Sequence, residues 1–207
     1  SADVAIVGSG APGQAGARRL LARGRSVVLI ESGGLDHDEA SADLNRGDIV
    51  GQPYHPLDHA RLRFFGGTTA IWGGRCAEFD PIDFGRRHWV PHSGWPFGAD
   101  EIHSYLAEAR TIPGVAAVDS GRLPRPELMR RLSSEELAVR WWSFDPKFDR
   151  FTIDQARDLE EDPRCTLLDH ATVREIMLAS DKGAVERLDV RTPSGRSIDV
   201  RARHYIL

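Results

Sequence analysis

A glycine fingerprint at the start of the chain is the feature that most narrowly constrains its fold. Gly8, Gly10 and Gly13 have the G-x-G-x-x-G spacing, which gives a tight turn, close approach of a diphosphate, and close helix–strand packing. A short apolar strand over 4–7 precedes these glycines, and a helix over 12–23 follows them. Backbone N–H groups and the dipole at the start of that helix favour a bound diphosphate. The sequence therefore predicts a dinucleotide-binding unit.

An acidic residue follows the next predicted strand. Val27 to Ile30 form that strand, and Glu31 comes directly after it, at about the required distance of roughly 20 residues from the glycines. Its carboxylate can accept hydrogen bonds from both hydroxyls of an adenosine ribose, and its charge repels a 2′-phosphate. Glu31 therefore suits FAD or NAD and disfavours NADP.

The composition is that of an ordinary globular protein, and its charge does not favour binding to nucleic acid or to an anionic membrane. The chain has 207 residues, of which 41% are hydrophobic and 28% charged. Its net charge of −4 gives no electrostatic reason to expect binding to nucleic acid or to a membrane surface. Cys76 and Cys165 are isolated, and Pro91 interrupts any helix that would align His88 with His92, so no metal site is predicted. A reduced, cytoplasmic setting is expected.

A second glycine motif occupies residues 66–74, where two Gly-Gly pairs bracket a Thr-Thr pair and a tryptophan. Glycine pairs allow a ligand or another stretch of backbone to approach closely. Between the two motifs, residues 35–60 are polar and are predicted to be irregular. Helices are predicted over 99–109 and 133–142.

The last part of the chain returns to strands. Five are predicted, over 165–168, 171–178, 185–191, 197–200 and 205–207, with turn residues between them. We interpret them as a β-meander that follows an α/β start. The fold class is therefore α/β, with a Rossmann-like domain, a β-meander and an inserted segment that is mostly irregular or helical.

These motifs resemble those of the glucose–methanol–choline (GMC) flavoprotein oxidoreductases. Glu-Ser-Gly-Gly at 31–34 and Gly-Gly-Thr-Thr at 66–69 match the family's motifs in type and order. The stretches 69–75, 80–84 and 93–96 are most similar to the sugar-oxidising branch, which includes pyranose oxidases and fructose dehydrogenases.

The resemblance implies FAD as cofactor and oxidation of an alcohol or sugar hydroxyl to a carbonyl, with hydride transfer to flavin N5. It assigns residues 1–95 and 165–207 to a discontinuous FAD-binding domain, and residues 96–164 to an inserted segment that begins the substrate region. The Gly-Gly pairs leave room for the flat flavin ring, and backbone near Val173 would meet the adenine. The cofactor-binding residues expected are Gly8, Gly10, Ala11, Gly13, Glu31, Ser32, Gly67, Thr68, Trp72, Gly73, Gly74 and Val173.

Three departures from the family pattern carry expectations of their own. Ala11-Pro12 stands where the family usually has Pro then Ala, so the start of the helix differs slightly. Ile71 stands where some members have a histidine that bonds the flavin covalently, so non-covalent FAD is expected. The family's catalytic histidine, with its partner His or Asn, lies beyond the region matched here. No catalytic residue is therefore predicted, and the chain resembles the N-terminal part of a protein of more than twice this length.

Several alternatives stay open from the sequence alone. Arg61, Arg63 and Arg75 flank the glycine motifs and could meet phosphate, the flavin edge or a surface carboxylate. The chain could be an NAD-dependent reductase, or a non-catalytic cofactor-binding subunit. The expected partners are a small alcohol or sugar, together with a C-terminal half or a partner chain that completes the enzyme. Turnover by this chain alone is not expected.

Overall fold

The computed structural model describes residues 2–114, 142–181 and 183–207. The chain divides into two compact units. The first comprises Ser1–Trp72 and Asp149–Leu207, and the second comprises Gly73–Phe148. Assignment of residues 1–95 and 165–207 to one functional domain, and of 96–164 to another, stays a prediction.

The regular elements have the following bounds. The strands are β1 (Ala2–Val7), β2 (Val27–Ile30), β3 (Arg75–Cys76), β4 (Ser143–Phe144), β5 (Cys165–Leu168), β6 (Thr172–Leu178), β7 (Val185–Arg191), β8 (Ser197–Val200) and β9 (Ala202–Ile206). The α-helices are α1 (Ala11–Ala22), α2 (Glu39–Asp43), α3 (Leu57–Ala60), α4 (Pro81–Phe84), α5 (Ala99–Thr111) and α6 (Arg157–Glu161). Short 3₁₀ turns cover Gly67–Ala70 and Ile153–Gln155.

A parallel sheet forms the centre of the first unit, with strand order β5-β2-β1-β9. Because side chains alternate along a strand, β1 contributes to an apolar cluster on each face. Val4 and Ile6 pack with Leu21 of α1 on one face. Ala5 packs on the other, with Leu188 and Val190 of β7. Both faces of the sheet are therefore covered, as apolar parallel strands require.

The helix after the glycine turn lies one residue earlier than predicted and is otherwise as expected. Pro12 lies in the first turn of α1, where its missing N–H costs nothing. Gly24 follows the helix with φ +74°, a left-handed conformation that glycine adopts without strain. The β1–α1–β2 unit is therefore confirmed, and with it the α/β class.

The predicted five-stranded meander was wrong in its extent. Of its five strands, β6, β7 and β8 form an antiparallel sheet, whereas β5 and β9 join the parallel sheet on either side of β2 and β1. The two joining strands are short, and strand periodicity does not say which neighbour a strand pairs with. Their place is decided by packing against the two apolar clusters: Cys165 and Leu167 of β5 lie against one, and Ala202 and Tyr205 of β9 lie against the other.

The loop expected over 35–60 contains two short helices, α2 and α3. Asp38 caps α2 by accepting the Ser41 N–H at 2.8 Å, and this hydrogen bond lowers the pKa of the Asp38 carboxyl. The rest of the segment is irregular, as expected.

In the second unit, β3 pairs with β4 in antiparallel register, with Arg75 opposite Phe144. The predicted helix over 99–109 is present as α5 and extends to Thr111. The predicted helix over 133–142 lies outside the described residues except for Trp142, which is not helical. Among the described helices, none combines the length and the apolar character needed to cross a membrane.

Candidate functional site

The first glycine motif, Glu31 and the start of the second motif, from Gly66 to Thr69, converge in the first unit at the carboxyl ends of β1 and β2. The turn that follows β1 is held against β2 because the Gly8 N–H donates to the Ile30 carbonyl at 2.8 Å. Glu31 is the residue directly after β2. In open α/β sheets, ligands bind outside the carboxyl ends of the strands. The fold therefore places these residues at the position where a dinucleotide is expected.

Glu31 is a buried carboxylate, 6% exposed, that is held by hydrogen bonds from neighbouring groups. Its Oε2 accepts from the Ser9 N–H at 3.1 Å and from the Ser9 hydroxyl at 2.5 Å. Its Oε1 accepts from the Gly33 N–H at 3.0 Å. A carboxylate offers about four lone-pair positions, so these contacts leave Oε1 as the oxygen with an open acceptor position.

The first turn of α1 is built for close approach. A Cβ at Gly13 would lie 1.9 Å from the Gly8 carbonyl oxygen, so only glycine permits this packing of helix against turn. The helix N-cap is Gly10, which has no side chain, and the first turn carries no acidic side chain. A Cβ at Gly10 would lie 3.9 Å from the Gly66 carbonyl oxygen and 3.9 Å from the Thr69 hydroxyl oxygen, which are ordinary van der Waals contacts. This helix N-terminus, which includes Ala11, therefore has the partial positive charge that suits a phosphate group.

The second glycine motif packs directly against the first. Gly66 has φ +85°, and a Cβ there would lie 2.2 Å from the Phe151 carbonyl oxygen. The Gly66 N–H donates to the Ser9 hydroxyl at 3.0 Å. The Thr69 hydroxyl donates to the Gly66 carbonyl at 2.6 Å and accepts the Ala11 N–H at 3.1 Å. Two segments more than 50 residues apart in the chain are thereby joined.

Gln14 is a site residue that the sequence analysis missed. It lies on α1, is fully buried, and donates from Nε2 to the Ser9 carbonyl at 2.9 Å and to the Phe151 carbonyl at 2.7 Å. A buried amide needs such partners, since an unpaired one costs free energy. Gln14 therefore fixes the glycine turn against the segment that returns from the second unit. A polar residue on an otherwise apolar helix face was the signal in the sequence.

Ser32 and Arg63 form a polar contact beside Glu31. The Arg63 guanidinium donates to the Ser32 hydroxyl at 2.7 Å and to Asn45 Oδ1 at 2.8 and 3.1 Å. A Cβ at Gly33 would lie 2.0 Å from the Arg63 carbonyl oxygen, so the two backbone segments are in tight contact there. Arg63 therefore uses its donors to hold the loop after β2 and faces neutral oxygens in these contacts.

The turn between β5 and β6 also contacts the loop after β2. The Ala171 N–H donates to the Glu31 carbonyl at 2.8 Å, and His170 Nε2 lies 3.5 Å from Asp38 Oδ2. The His170 ring lies against Gly34, where a Cβ would be within 2.8 Å of it. Val173, two residues beyond Ala171, is the second residue of β6 and pairs with Val190. The predicted adenine-side residue thus belongs to the same unit as Glu31.

The remaining predicted residues divide between the two units. Gly67 and Thr68 begin the 3₁₀ turn after Gly66, and the Thr68 hydroxyl accepts from the Leu62 N–H at 3.2 Å. Trp72 packs edge-on against Phe151, with 6.0 Å between ring centroids. Its Nε1 is buried without a hydrogen-bond partner among the described residues.

Gly73 and Gly74 belong to the second unit. There the Asp145 N–H donates to the Gly74 carbonyl at 2.7 Å, and the Arg75 guanidinium lies 4.6 Å from the centre of the Trp142 ring. Within the described part of the chain, no three His, Cys, Asp or Glu side chains are placed to hold a metal ion.

Comparison with known protein families and curated proteins gives consistent matches. Residues 3–207 match the family described as FAD dependent oxidoreductase. Paromamine 6'-oxidase of Streptomyces fradiae is 29% identical over 58% of this chain and 24% of its own length. A GMC-type oxidoreductase of Sinorhizobium fredii is 33% identical over 66% of this chain and 28% of its own length. 6'''-Hydroxyparomomycin C oxidase of Streptomyces lividus is 29% identical over 59% of this chain and 25% of its own length. The matched region thus spans about a quarter of each relative.

Solved structures show the same fold at low sequence identity. Pyridoxine 4-oxidase from Mesorbium loti superposes with a TM-score of 0.58 at 22% identity, covering 99% of this chain and 48% of that protein. A formate oxidase superposes with a TM-score of 0.53 at 15% identity, covering 97% and 44%. The likeness extends over nearly all of this chain and over less than half of either structure.

Proposed function

Because the chain belongs to the FAD dependent oxidoreductase family, we propose that it forms the FAD-binding part of an enzyme that oxidises an alcohol or sugar hydroxyl to a carbonyl. The family match decides for FAD over NAD as the cofactor. The resemblance to GMC-type oxidoreductases is confirmed by the relatives found. The activity of the whole enzyme and its substrate belong to the proposal.

The observation that carries the proposal is that Ser9 of the first glycine motif and Gly66, which begins the second, are joined to Glu31 within one unit. Ser9 contacts Glu31 on one side and Gly66 on the other. An elongated dinucleotide needs an acceptor for its ribose, a helix N-terminus for its diphosphate and a glycine-lined path for its ring system. The ribose acceptor and the helix N-terminus lie at the carboxyl ends of β1 and β2, and the Gly66 segment lies against them.

Each group in the first unit has a defined task in this proposal. Glu31 Oε1 would accept from a ribose hydroxyl, and the N-terminus of α1 would hold the diphosphate, although its Ala11 N–H already donates to the Thr69 hydroxyl. The Trp72 indole N–H, buried and unpartnered among the described residues, is a donor for an acceptor on the bound ligand. FAD, when bound, supplies the acceptor for a hydride from the substrate carbon. The group that removes the hydroxyl proton is not assigned to this chain.

The substrate class is supported by the relatives. Two of them are named as oxidases of paromamine and of 6'''-hydroxyparomomycin C. We propose a hydroxyl of a sugar or sugar-like alcohol as the group oxidised. A reduced, cytoplasmic setting is also proposed, and fractionation of the producing cells tests it. A C-terminal continuation or a partner chain is proposed to supply the proton acceptor.

The first test of the proposal is cofactor binding. The chain is incubated with FAD, separated by gel filtration and examined by absorption spectroscopy. Flavin bands that co-elute with protein are expected, and incubation with NADH under the same conditions should leave no nicotinamide absorption. Flavin that elutes entirely apart from the folded protein would contradict the proposed cofactor-binding role.

The proposed non-covalent attachment is tested on the same sample. Ile71 offers no nucleophile at the position where some family members bond the flavin. After acid precipitation, all flavin absorbance is therefore expected in the supernatant. Flavin that stays with the precipitated polypeptide would contradict this expectation.

Sugar-dependent bleaching of the flavin by this chain alone is not expected.

A further inference from the structure

Ser9 occupies the second position of the glycine fingerprint and has contacts that its position alone does not predict. It is fully buried between Gly8 and Gly10. Its N–H and its hydroxyl both donate to the same oxygen of Glu31, Oε2, at 3.1 and 2.5 Å. The same hydroxyl accepts the Gly66 N–H at 3.0 Å. One small side chain therefore contacts the ribose-side acid and the second glycine motif.

These contacts fix the direction of the Glu31 carboxylate. A glutamate side chain loses rotamer freedom when it is ordered, and that loss opposes ligand binding if it occurs only then. Here two donors on Oε2 and the Gly33 N–H on Oε1 order Glu31 before any ligand arrives. Hydrogen bonds to an ionised carboxylate are stronger than neutral ones. Ser9 therefore presents Oε1 in one orientation.

The contact with Gly66 extends this order to the second motif. The Ser9 hydroxyl has one proton and two lone pairs, so it can donate to Glu31 and accept from Gly66 at once. The Gly66 carbonyl accepts from the Thr69 hydroxyl, which accepts in turn from the Ala11 N–H at the start of α1. A continuous set of hydrogen bonds thus runs from the acid to the helix N-terminus.

We propose that Ser9 is a positioning residue for the cofactor: its hydroxyl holds Glu31 ready for the ribose and ties that acid to the Gly66 segment. The ligand part of this inference rests on the proposed FAD-binding function. The structural part, coupling between Ser9 and Glu31, does not.

The chain offers a matched control at the opposite ends of the same strands. The N–H and the hydroxyl of Ser26 both donate to Asp3 Oδ2, at 2.9 and 3.0 Å. This serine–carboxylate pair has the same chemistry, and it lies at the amino ends of β1 and β2, away from the glycine turn. Ser26→Ala therefore removes an equivalent hydroxyl without touching the proposed site.

The experiment is a double-mutant cycle with two readouts. Ser9→Ala, Glu31→Gln and the double variant are compared with the original chain by urea unfolding without cofactor and by titration with FAD. We expect Ser9→Ala to raise the Kd for FAD about ten-fold, or about 1.4 kcal/mol. The double variant is expected to have a Kd for FAD no higher than that of the single variant with the higher Kd. Ser26→Ala is expected to leave the Kd for FAD unchanged.

Each result decides a separate point. Strictly additive effects in both readouts would overturn the inference, because independent residues do not couple. If the original chain binds no FAD, the proposed function fails, and unfolding alone shows whether Ser9 and Glu31 are coupled. A Kd that rises equally in Ser26→Ala would assign the effect to general stability and also overturn the positioning role. If Ser9→Ala does not fold, Ser9→Cys takes its place in the cycle.

Discussion

At the scale of the residue, Glu31 has to serve the fold and the ligand with the same two oxygens. Three protein donors already contact it, from Ser9 and Gly33. Such a buried acid is held in one place, and removing it affects both the binding of a ribose and the order of the turn. Glu31 was predicted from its position after β2, whereas its protein partners are visible only in the folded chain.

Glu31→Ala is expected to weaken FAD binding about ten-fold or more, since a hydrogen bond to a charged group contributes about 1.5–3 kcal/mol. Titration of the folded variant with FAD measures this effect. Asp3→Ala is the control, because Asp3 accepts the same pair of hydrogen bonds from Ser26 at the other end of the strands. An FAD affinity unchanged by Glu31→Ala would remove this residue from the site.

Gly13 and Gly16 lie on the same helix, and alanine substitutions at these two positions are predicted to change stability in opposite directions. A Cβ at Gly13 would meet the Gly8 carbonyl at 1.9 Å, so Gly13→Ala should destabilise the chain by at least about 1–3 kcal/mol. A Cβ at Gly16 would lie 3.7 Å from Ile6 Cδ1, an ordinary contact. Gly16→Ala should therefore stabilise the helix by up to about 1 kcal/mol. Urea unfolding of both variants tests this, and equal effects would contradict the close-approach argument.

At the scale of the element, α1 is fastened to the part of the chain that returns to the first unit. Arg18 on α1 contacts Asp158 on α6 through two hydrogen bonds, at 2.7 and 2.8 Å. The hydrogen bond from Arg18, followed by the attraction of its charge, lowers the pKa of the Asp158 carboxyl. Gln14 contributes a buried contact on the same helix. These contacts, more than helix propensity, fix where α1 lies.

The Arg18–Asp158 pair predicts a dependence of stability on pH. Because the folded pKa of Asp158 lies below its unfolded value, the stabilisation is fully present above about pH 4 and is lost as pH falls through the folded pKa. Arg18→Gln should lower stability by about 0.2–1 kcal/mol at pH 7, since the pair is partly exposed. That difference should shrink in strong acid, as measured by thermal unfolding across pH.

Arg46→Gln is the control for this pH prediction. It removes the same charge from contacts with Asp43 and Asp58 in which the arginine side chain is 69% exposed, against 33% for Arg18. A smaller effect is expected there, because solvent screens the more exposed pair. The stability of the original chain is compared with that of Arg18→Gln from neutral pH to strong acid. If the difference in stability stays constant over this range, the ion pair contributes nothing to stability.

At the scale of the whole molecule, the first unit is assembled from two distant parts of the chain. Ser1–Trp72 supplies β1, α1 and β2, and Asp149–Leu207 supplies β5 and β9 on either side of them. Trp72 and Phe151, close to the two junctions, have ring centroids 6.0 Å apart. The junctions are therefore near enough for a short linker to join them.

A shortened chain in which a Gly/Ser linker replaces residues 73–148 is expected to fold cooperatively. All strands of the parallel sheet and of the β6-β7-β8 sheet are retained, so both apolar clusters remain complete. Thermal unfolding followed by circular dichroism measures the transition. Residues 2–72 alone are the control and should show none, because β5 and β9 are missing. Absence of a transition in the linked chain would mean that this unit depends on residues 73–148.

The sequence by itself determined the β1–α1–β2 unit, its glycines and the acid after β2, because these depend on local spacing and on backbone geometry near each residue. The family motifs likewise indicated FAD, which the family match confirmed. Tertiary structure alone decided that β5 and β9 join the parallel sheet, and that Ser9 and Gln14 join segments 57 and 137 residues apart. Those contacts are long-range hydrogen bonds, and local periodicity carries no information about which distant partner a buried polar group meets.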